Sequence, residues 1–392
     1  MSVEVPRELN VATYFLDSNL EAGRGGRTAL IEPSGRRSYE DLAVLTNRVG
    51  NVLRGLGVQQ EQRVLLALSD SVEFVATWFA AQKIGAVTAE VYTFLQTKDY
   101  AYYLEYTRAS VVVVDATTLE RVREAAAASP LQHTLLVVGV AANELRPGEA
   151  HFESLVAAAS TQLAPAATTC DDIAIWKFTT GSTGRPKACV HTARSPFVNY
   201  HGYARDVLGI GADDVVLPVP KLFFGYARDL TALYPLREGG AGIVFAERPT
   251  PELLFALIKQ HRPTILVNVP TMMQAMLDHP DARAQDLSCL RLSTSAGEAL
   301  PEPLHRRWMD TFGVEVLDGI GSSEAYHIYI SNRPGAVTPG SMGEAVPGYA
   351  PFVAGEDGRP LPDGEVGRLF IRCDSASLMY WNDRPRSIET FA

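Results

Sequence analysis

Ile173-Ala174-Ile175-Trp176-Lys177-Phe178-Thr179-Thr180-Gly181-Ser182-Thr183-Gly184-Arg185-Pro186-Lys187 is the stretch on which the reading of this chain turns. Its first part is an apolar run that reads as a strand over 173–178. Its second part, 179–187, consists of hydroxyl side chains, glycines, a proline and two cations, a composition that cannot build a core. It can build a loop whose N–H groups and hydroxyls face a polyanion. Gly181 and Gly184 allow the backbone a positive φ and a close approach to a ligand, and concave turns of this kind present several N–H donors to phosphate oxygens. Lys187 adds a charge at the far end. A glycine-rich turn after a strand is where phosphate loops sit. The stretch lacks the Gly-Lys-Ser/Thr ending of a Walker A loop. Taken alone, a mobile surface loop explains it equally well.

Working outward, apolar runs alternate with helical periodicity on both sides. Upstream, Ser38 and Asp41 form a capping-box variant before Leu42, Leu45, Val49 and Val52 at helical spacing. A strand at 64–68 follows, then a helix capped by Ser69 or Asp70 and ending at Gly85. Strands at 111–114 and 135–138 flank an alanine-rich helix at 119–127. Residues 141–168, rich in Ala, Thr, Pro and Glu, read as a connector. Downstream, strands are expected at 215–217, 243–245, 264–269, 290–293 and 314–317, with helices at 251–260 and 302–311. Strands that are apolar throughout and alternate with helices indicate a parallel sheet covered on both faces. Beyond 333, Asp357-Gly358 and Asp363-Gly364 signal hairpins and a small antiparallel section. The expected fold is therefore α/β: two helix-flanked, largely parallel sheets in layers plus a small antiparallel β section. The expected divisions are 1–170, 171–334 with the nucleotide and acid sites, and 335–392.

The 392 residues carry a net charge of −10, which argues against a nucleic-acid partner. Four widely spaced cysteines, with no C-x-x-C pair, suggest reduced thiols in a cytoplasmic protein rather than a disulfide framework or cysteine metal site. No basic-then-apolar leader pattern opens the chain, and no apolar run reaches the roughly 18 residues a membrane span requires.

Four polar turns follow strand-like runs: 179–187, 221–226, 294–298 and 318–324. In open α/β sheets, ligands bind beyond the carboxyl ends of the strands, so these turns can converge on one crevice. Together they resemble the motifs of the adenylate-forming superfamily of acyl- and aryl-CoA ligases, peptide-synthetase adenylation domains and luciferases. The stretch 179–187 resembles its phosphate loop, Ser295-Ala296-Gly297-Glu298-Ala299-Leu300-Pro301 its adenine turn, and Asp318-Gly319-Ile320-Gly321-Ser322-Ser323-Glu324 its Gly-x-Thr-Glu motif. Gly364-Glu365-Val366-Gly367-Arg368-Leu369 resembles a later β motif. Lys221-Leu222-Phe223-Phe224-Gly225-Tyr226, the extension to His327-Ile328, and Pro339-Gly340-Ser341-Met342-Gly343 look most like benzoate-CoA ligases and their aryl-CoA relatives.

The resemblance implies that a carboxylate attacks the α-phosphate of Mg·ATP to give an acyl-AMP, and that a thiol, usually of coenzyme A, then displaces AMP. It implies catalytic roles for Thr183, Lys187, Ser323 and Glu324, with Glu324 as the Mg²⁺ ligand. Thr179, Thr180, Gly181, Ser182, Thr183, Gly184 and Lys187 would hold phosphates. Gly297, Glu298, Ala299, Asp318 and Gly319 would form the adenine site, with Ser323 reaching the α-phosphate. Ser323 stands where the family usually has Thr and keeps the hydroxyl. Phe224, Gly225, Tyr226, Ala227, Gly321, His327 and Ile328 would form the acid pocket. Small residues at 225, 227 and 321 leave room, and the apolar walls suit a single aromatic ring. Arg228 and Asp229 could recognise a polar substituent but read more simply as an exposed ion pair, and His191 and Tyr200 receive no role.

The chain stops after Tyr380-Trp381-Asn382, just upstream of where the family carries a ribose-binding aspartate, a hinge and a small mobile domain. This reads as the large domain of a longer ligase, able to bind ATP, acid or acyl-AMP but to turn over poorly alone. With acyl-AMP bound and pyrophosphate gone, residues 180–186 are expected to be mobile. The acid could be benzoate, 2-aminobenzoate or a hydroxybenzoate. Rival readings are an activating domain that loads a carrier-protein thiol, and a non-catalytic adenylate-binding homologue; a homodimer is open. A dinucleotide-binding dehydrogenase is disfavoured, because no Gly-x-Gly-x-x-Gly follows the first strand.

Overall fold

The computed structural model describes residues 3–180 and 184–391. Two large sheets form its frame. The eight-stranded sheet runs, in spatial order, Met379–Tyr380, Pro186–Thr192, Ile173–Thr180, Val87–Glu90, Arg63–Ala67, Val111–Asp115, Thr134–Val138, Ala150–His151. Its pairings are parallel except at the end where Pro186–Thr192 lies antiparallel to both neighbours. The nine-stranded sheet runs Glu344–Ala345, Ile328–Ser331, Val316–Gly321, Leu292–Ser295, Ile265–Asn268, Val215–Pro218, Ala241–Ile243, Thr28–Glu32, Gly35–Ser38. Its centre is parallel and its edges antiparallel. A two-stranded antiparallel sheet, Tyr349–Ala354 with Arg368–Cys373, completes the fold. The expected fold class is what the chain adopts.

The parallel centre is explained by composition. Val111, Val112, Val113 and Val114 are all fully buried, so both faces of that strand are covered, as parallel strands require. Removing each such side chain from water contributes about 1.5–3 kcal/mol. The helix Tyr39–Gly55 starts as its sequence indicates, with a capping box between Ser38 and Asp41. No helix among the described residues is long and apolar enough to cross a membrane.

Two expectations are corrected. The division at 170/171 cuts through a sheet: Ile173–Thr180 pairs in parallel with Val87–Glu90, while Thr28–Glu32 from the first segment pairs with Ala241–Ile243 in the other sheet. The chain thus exchanges strands between its layers, which local periodicity cannot reveal. The helix Val72–Lys83 is capped by Ser71, whose hydroxyl accepts from the Phe74 N–H, not by Ser69 or Asp70. Asp70 is drawn away because its carboxylate accepts from the Leu222 N–H at 3.0 and 3.1 Å.

Candidate active site

The two large sheets meet over a cavity of about 540 Å³. The strand Ile173–Thr180 contributes Lys177, Phe178 and Thr179. The other sheet contributes Ala296 and Gly297 after one strand, Gly321 at the end of another, and Phe223 to Tyr226 at the start of the helix Gly225–Ala232. The rest of the wall comes from the segment 322–328 and from Glu90, Val91, Tyr92, Leu95, Tyr103 and Pro186. The four polar turns therefore do converge, but at a seam between two sheets rather than on the edge of one. The expected loop is also shorter than its composition suggested. Thr179 pairs with Lys187 and Thr180 with Pro186 in the antiparallel ladder, so both ends of the stretch are strand.

Segment 322–327 is a strap tied down along its length. The Ser323 carbonyl accepts from His191 Nε2 at 2.7 Å, the Glu324 carbonyl from the Ser377 N–H at 2.8 Å, the Ala325 carbonyl from Ser375 Oγ at 2.9 Å, and the Tyr326 carbonyl from Lys177 Nζ at 2.6 Å. His191 is fully buried, and burial pushes its imidazole down to about 3. It is neutral, with Nε2 donating and Nδ1 3.0 Å from the Ser195 hydroxyl. Burial likewise lowers His327 to about 3. Its Nε2 donates to the Tyr226 carbonyl at 3.3 Å, while Nδ1 has no partner. His327 lines the cavity as a neutral imidazole whose Nδ1, itself buried, is an acceptor left without a protein donor.

Behind this wall lies a buried charge cluster that the sequence reading missed. Arg228 is 2% exposed and Asp229 fully buried, so the expectation of an exposed ion pair is wrong. The Asp229 carboxylate receives Arg228 at 2.8 and 3.0 Å on one oxygen and Lys177 Nζ at 2.7 Å on the other. Arg228 also pairs with Glu90 at 2.9 Å, and Glu90 accepts from Trp78 Nε1 at 2.5 Å. Burial alone would raise the Asp229 carboxyl, but Arg228 and then Lys177 hold it down at about 2. Burial lowers Lys177 to about 8, with Asp229 opposing. Lys177 and Glu90 both line the cavity. The available signal was the lone cation inside the apolar run 173–178.

Of the residues the motifs singled out, Thr179, Phe224, Gly225, Tyr226, Gly297, Gly321, Ser323, Glu324, His327 and Ile328 line this cavity. Ala227 does not; it is fully buried in its helix. Glu298 and Ala299 are exposed on the turn that begins at Gly297, where Glu298 accepts from the Thr271 hydroxyl. Asp318 and Gly319 sit buried in the strand Val316–Gly321, and burial pushes the Asp318 carboxyl up to about 6. Gly184 is exposed at φ +79. Lys187 lies off the cavity, its ammonium 5.3 Å from the centre of the Tyr380 ring. The Tyr380 hydroxyl in turn donates to Glu324 Oε1 at 2.6 Å. Gly181, Ser182, Thr183 and the Thr180 side chain lie outside the described residues, and with them three of the seven residues, 180–186, expected to be mobile. The idea that glycines leave room for a ligand also needs revision. A Cβ on Gly225 would come within 2.7 Å of Lys177 Cε and Nζ, and one on Gly321 within 2.6 Å of the His327 carbonyl oxygen. Both are glycine because protein atoms already occupy that space.

A second cavity of about 390 Å³ adjoins the first and shares Tyr92, Phe223 and Phe224 with it. A second buried pair lines it: Lys221 lies 3.1 Å from Asp70 and also donates to the carbonyls of Phe245 and Glu247. Burial raises the Asp70 carboxyl to about 6, because Lys221 and the Leu222 N–H offset only part of the desolvation.

A divalent cation fits Glu324 in one specific way. The carboxylate is half-buried at the cavity rim with one oxygen held by Tyr380. Among the described residues no cluster of three or more His, Cys, Asp or Glu could hold a metal ion. A single carboxylate suits Mg²⁺, which keeps several waters and takes its other ligands from substrate phosphates.

Two layered, largely parallel sheets meeting over a cavity lined by a carboxylate and by aromatic side chains give this chain the fold of the adenylate-forming enzymes. The chain belongs to the AMP-binding enzyme family, which it matches over residues 18–381. It is 39% identical to a benzoate–CoA ligase of Thauera aromatica over all of its own length and 73% of the relative's. The crystal structure of a benzoate CoA ligase from Burkholderia xenovorans superposes with a TM-score of 0.90 at 39% identity, over 98% of this chain and 75% of the other. That of an anthranilate CoA ligase in complex with anthranoyl-AMP superposes with a TM-score of 0.94 at 32% identity, over 99% and 73%.

Proposed function

We propose that this chain activates a small aromatic carboxylate with ATP as an aryl-AMP, from which the aryl group passes to coenzyme A in the manner of an acid–thiol ligase. The observation that carries this reading is the cavity itself. It is lined by the hydroxyl and carboxylate groups of Thr179, Ser323 and Glu324 together with the aromatic and aliphatic side chains of Tyr226, His327 and Ile328. Its relatives support the same reading: one is a benzoate–CoA ligase and another is solved with anthranoyl-AMP.

In the first half-reaction a carboxylate oxygen attacks the α-phosphorus and the bond to pyrophosphate breaks. In the second, a thiol sulfur attacks the acyl carbon and AMP leaves with the former carboxylate oxygen. Such transfers demand mainly positioning and charge neutralisation. Thr179, Thr180, Gly181, Ser182, Thr183, Gly184 and Lys187 hold the β- and γ-phosphates. Gly297 and the turn after it face the adenine. Ser323 donates to the α-phosphate or the acid. Glu324 would hold Mg²⁺, which would supply charge neutralisation at the phosphates. The apolar walls exclude water from the mixed anhydride, and His327 Nδ1 accepts from a donor substituent on the ring.

The test is Glu324→Gln, assayed by acid-dependent ATP–pyrophosphate exchange. Exchange should fall roughly 100-fold or more, as expected when several kcal/mol of charge stabilisation is lost. An undiminished rate would refute the role. A panel of benzoate, 2-aminobenzoate, hydroxybenzoates and aliphatic acids tests the pocket, and a preference for long aliphatic acids would overturn it. Comparing coenzyme A with a carrier-protein thiol identifies the acceptor.

A further inference from the structure

The strap 322–327 carries Ser323 and Glu324, assigned above to the nucleotide, and His327, assigned to the ring; all three line the cavity. It also contains Tyr326 at φ +80. A bulky residue in the left-handed region is a genuine outlier, and such a conformation persists only when its surroundings over-determine it. Of the four carbonyls anchored from outside, three receive neutral donors. The fourth, that of Tyr326 itself, receives the ammonium of Lys177 at 2.6 Å, and charge-assisted hydrogen bonds are roughly twice as strong as neutral ones. The same ammonium lies 3.5 Å from the centre of the Tyr326 ring. Lys177 thus grips the strained residue through both its backbone and its ring.

Lys177 is itself fixed from two directions. Asp229 anchors it from the helix that carries Tyr226, and its Cε and Nζ pack into the space that Gly225 on the same helix leaves open. Its backbone belongs to the strand that runs into the glycine-rich loop. One side chain therefore connects three parts of the site: the strand before the loop, the aromatic helix and the strap. Lys177 is not the sole cation on Asp229, because Arg228 makes two hydrogen bonds to that carboxylate. A buried ion cluster is also poor evidence for a stabilising purpose, since desolvation cancels much of its attraction.

We propose that Lys177 is a positioning residue for acid activation: by holding the Tyr326 carbonyl and ring it keeps the strap in the strained form that aligns Ser323 and Glu324 with His327. This rests on the reading of the cavity as the acid and nucleotide site. The test compares Lys177→Met with the double variant Lys177→Met/Asp229→Asn. The double variant removes both charges, so it folds without an uncompensated buried ion but still leaves the Tyr326 carbonyl without its donor. Expected is a double variant with near wild-type melting temperature, a kcat for ATP–pyrophosphate exchange lowered about 100-fold, the scale of a 1 Å misplacement, and a KM for ATP nearly unchanged. Recovery of kcat to within about threefold of wild type would overturn the proposal, because Lys177 would then only balance Asp229. A crystal structure of the double variant decides the same point without turnover. Tyr326 leaving the left-handed region, with Ser323 and His327 displaced, supports the proposal; an unmoved strap overturns it. Failure of the wild type to exchange with any aryl acid would count against the site assignment, and the crystal structure would still decide whether Lys177 holds the strap.

Discussion

The two buried lysine–aspartate pairs are mirror images in construction and opposites in electrostatics. In each, a lysine on one layer reaches an aspartate on the other. Lys177 lies on a strand of the eight-stranded sheet and meets Asp229 on a helix that follows the nine-stranded sheet. Asp70 follows a strand of the eight-stranded sheet and meets Lys221 from the turn after Val215–Pro218. Both carboxylates are buried, yet Asp229 is held at about 2 while Asp70 is pushed up to about 6. The difference is the number of cations. Asp229 has Arg228 as well as Lys177, whereas among the described residues the cation paired with Asp70 is Lys221 alone, whose ammonium is shared with two carbonyls. One ammonium does not repay the desolvation of a buried carboxylate here; an ammonium and a guanidinium do.

The comparison is broken most forcefully at Asp229. Replacing it with Leu leaves Lys177 and Arg228 buried with Glu90 as the remaining partner of the cluster. Breaking a buried ion pair by removing one partner costs about 3–5 kcal/mol, so Asp229→Leu is expected to lose that much stability in urea unfolding at neutral pH. A loss below about 1 kcal/mol would mean that water or rearrangement already satisfies the two cations, and the electrostatic contrast would fail.

A smaller effect is expected at Gly225. Its Cβ position lies 2.7 Å from Lys177 Cε and Nζ. A long side chain normally yields to such a contact, but this one is held at its head by Asp229 and the Tyr326 carbonyl. Gly225→Ala should therefore cost about 1–3 kcal/mol, the usual penalty for overpacking. In a Lys177→Ala background the contact is gone and the cost should disappear, a coupling that a double-mutant cycle measures directly. Additive effects would show that Gly225 is small for another reason.

What the sequence revealed and what it hid divide along the range of the interactions. The capping box at Ser38 and Asp41 was legible because both partners lie within one turn. The glycine-rich stretch, Ser323, Glu324 and His327 were legible because each sits in a contiguous motif. Lys177 and Asp229 are 52 residues apart and Asp70 and Leu222 are 152 apart, so nothing local marks them as partners. For that reason Arg228 and Asp229 looked like a surface pair, and Asp70 looked like a helix cap. The exchange of strands between layers is equally non-local, and the division placed at 170/171 failed for the same cause. The one local trace of the charge cluster was a lysine within an otherwise apolar strand.

The finest test of the contrast is the sign of its pH dependence. The Asp70 carboxyl titrates near 6 when folded, against 3.8 as its ordinary value. Between those values the folded protein binds a proton that the unfolded chain does not. Stability from this group is therefore fully present below about 3.8 and is lost as pH rises through about 6. Asp229 behaves oppositely: its folded value of about 2 lies below the ordinary 3.8, so its contribution is present above 3.8 and is lost as pH falls through 2. Asp70→Asn keeps an acceptor for the Leu222 N–H and removes the titration. On lowering pH from 7 to 4.5, wild type should gain about 1–2 kcal/mol of unfolding free energy relative to Asp70→Asn, because each tenfold change in proton affinity between the folded and unfolded chain is worth about 1.36 kcal/mol. Carboxylates common to both proteins cancel in that difference. For Lys177→Met/Asp229→Asn, which removes the titration of Lys177 together with that of Asp229, the corresponding difference from wild type should stay flat over the same range. If both differences were flat, Lys221 would be holding Asp70 ionised as Arg228 and Lys177 hold Asp229, and the count of cations would not be what separates the two sites.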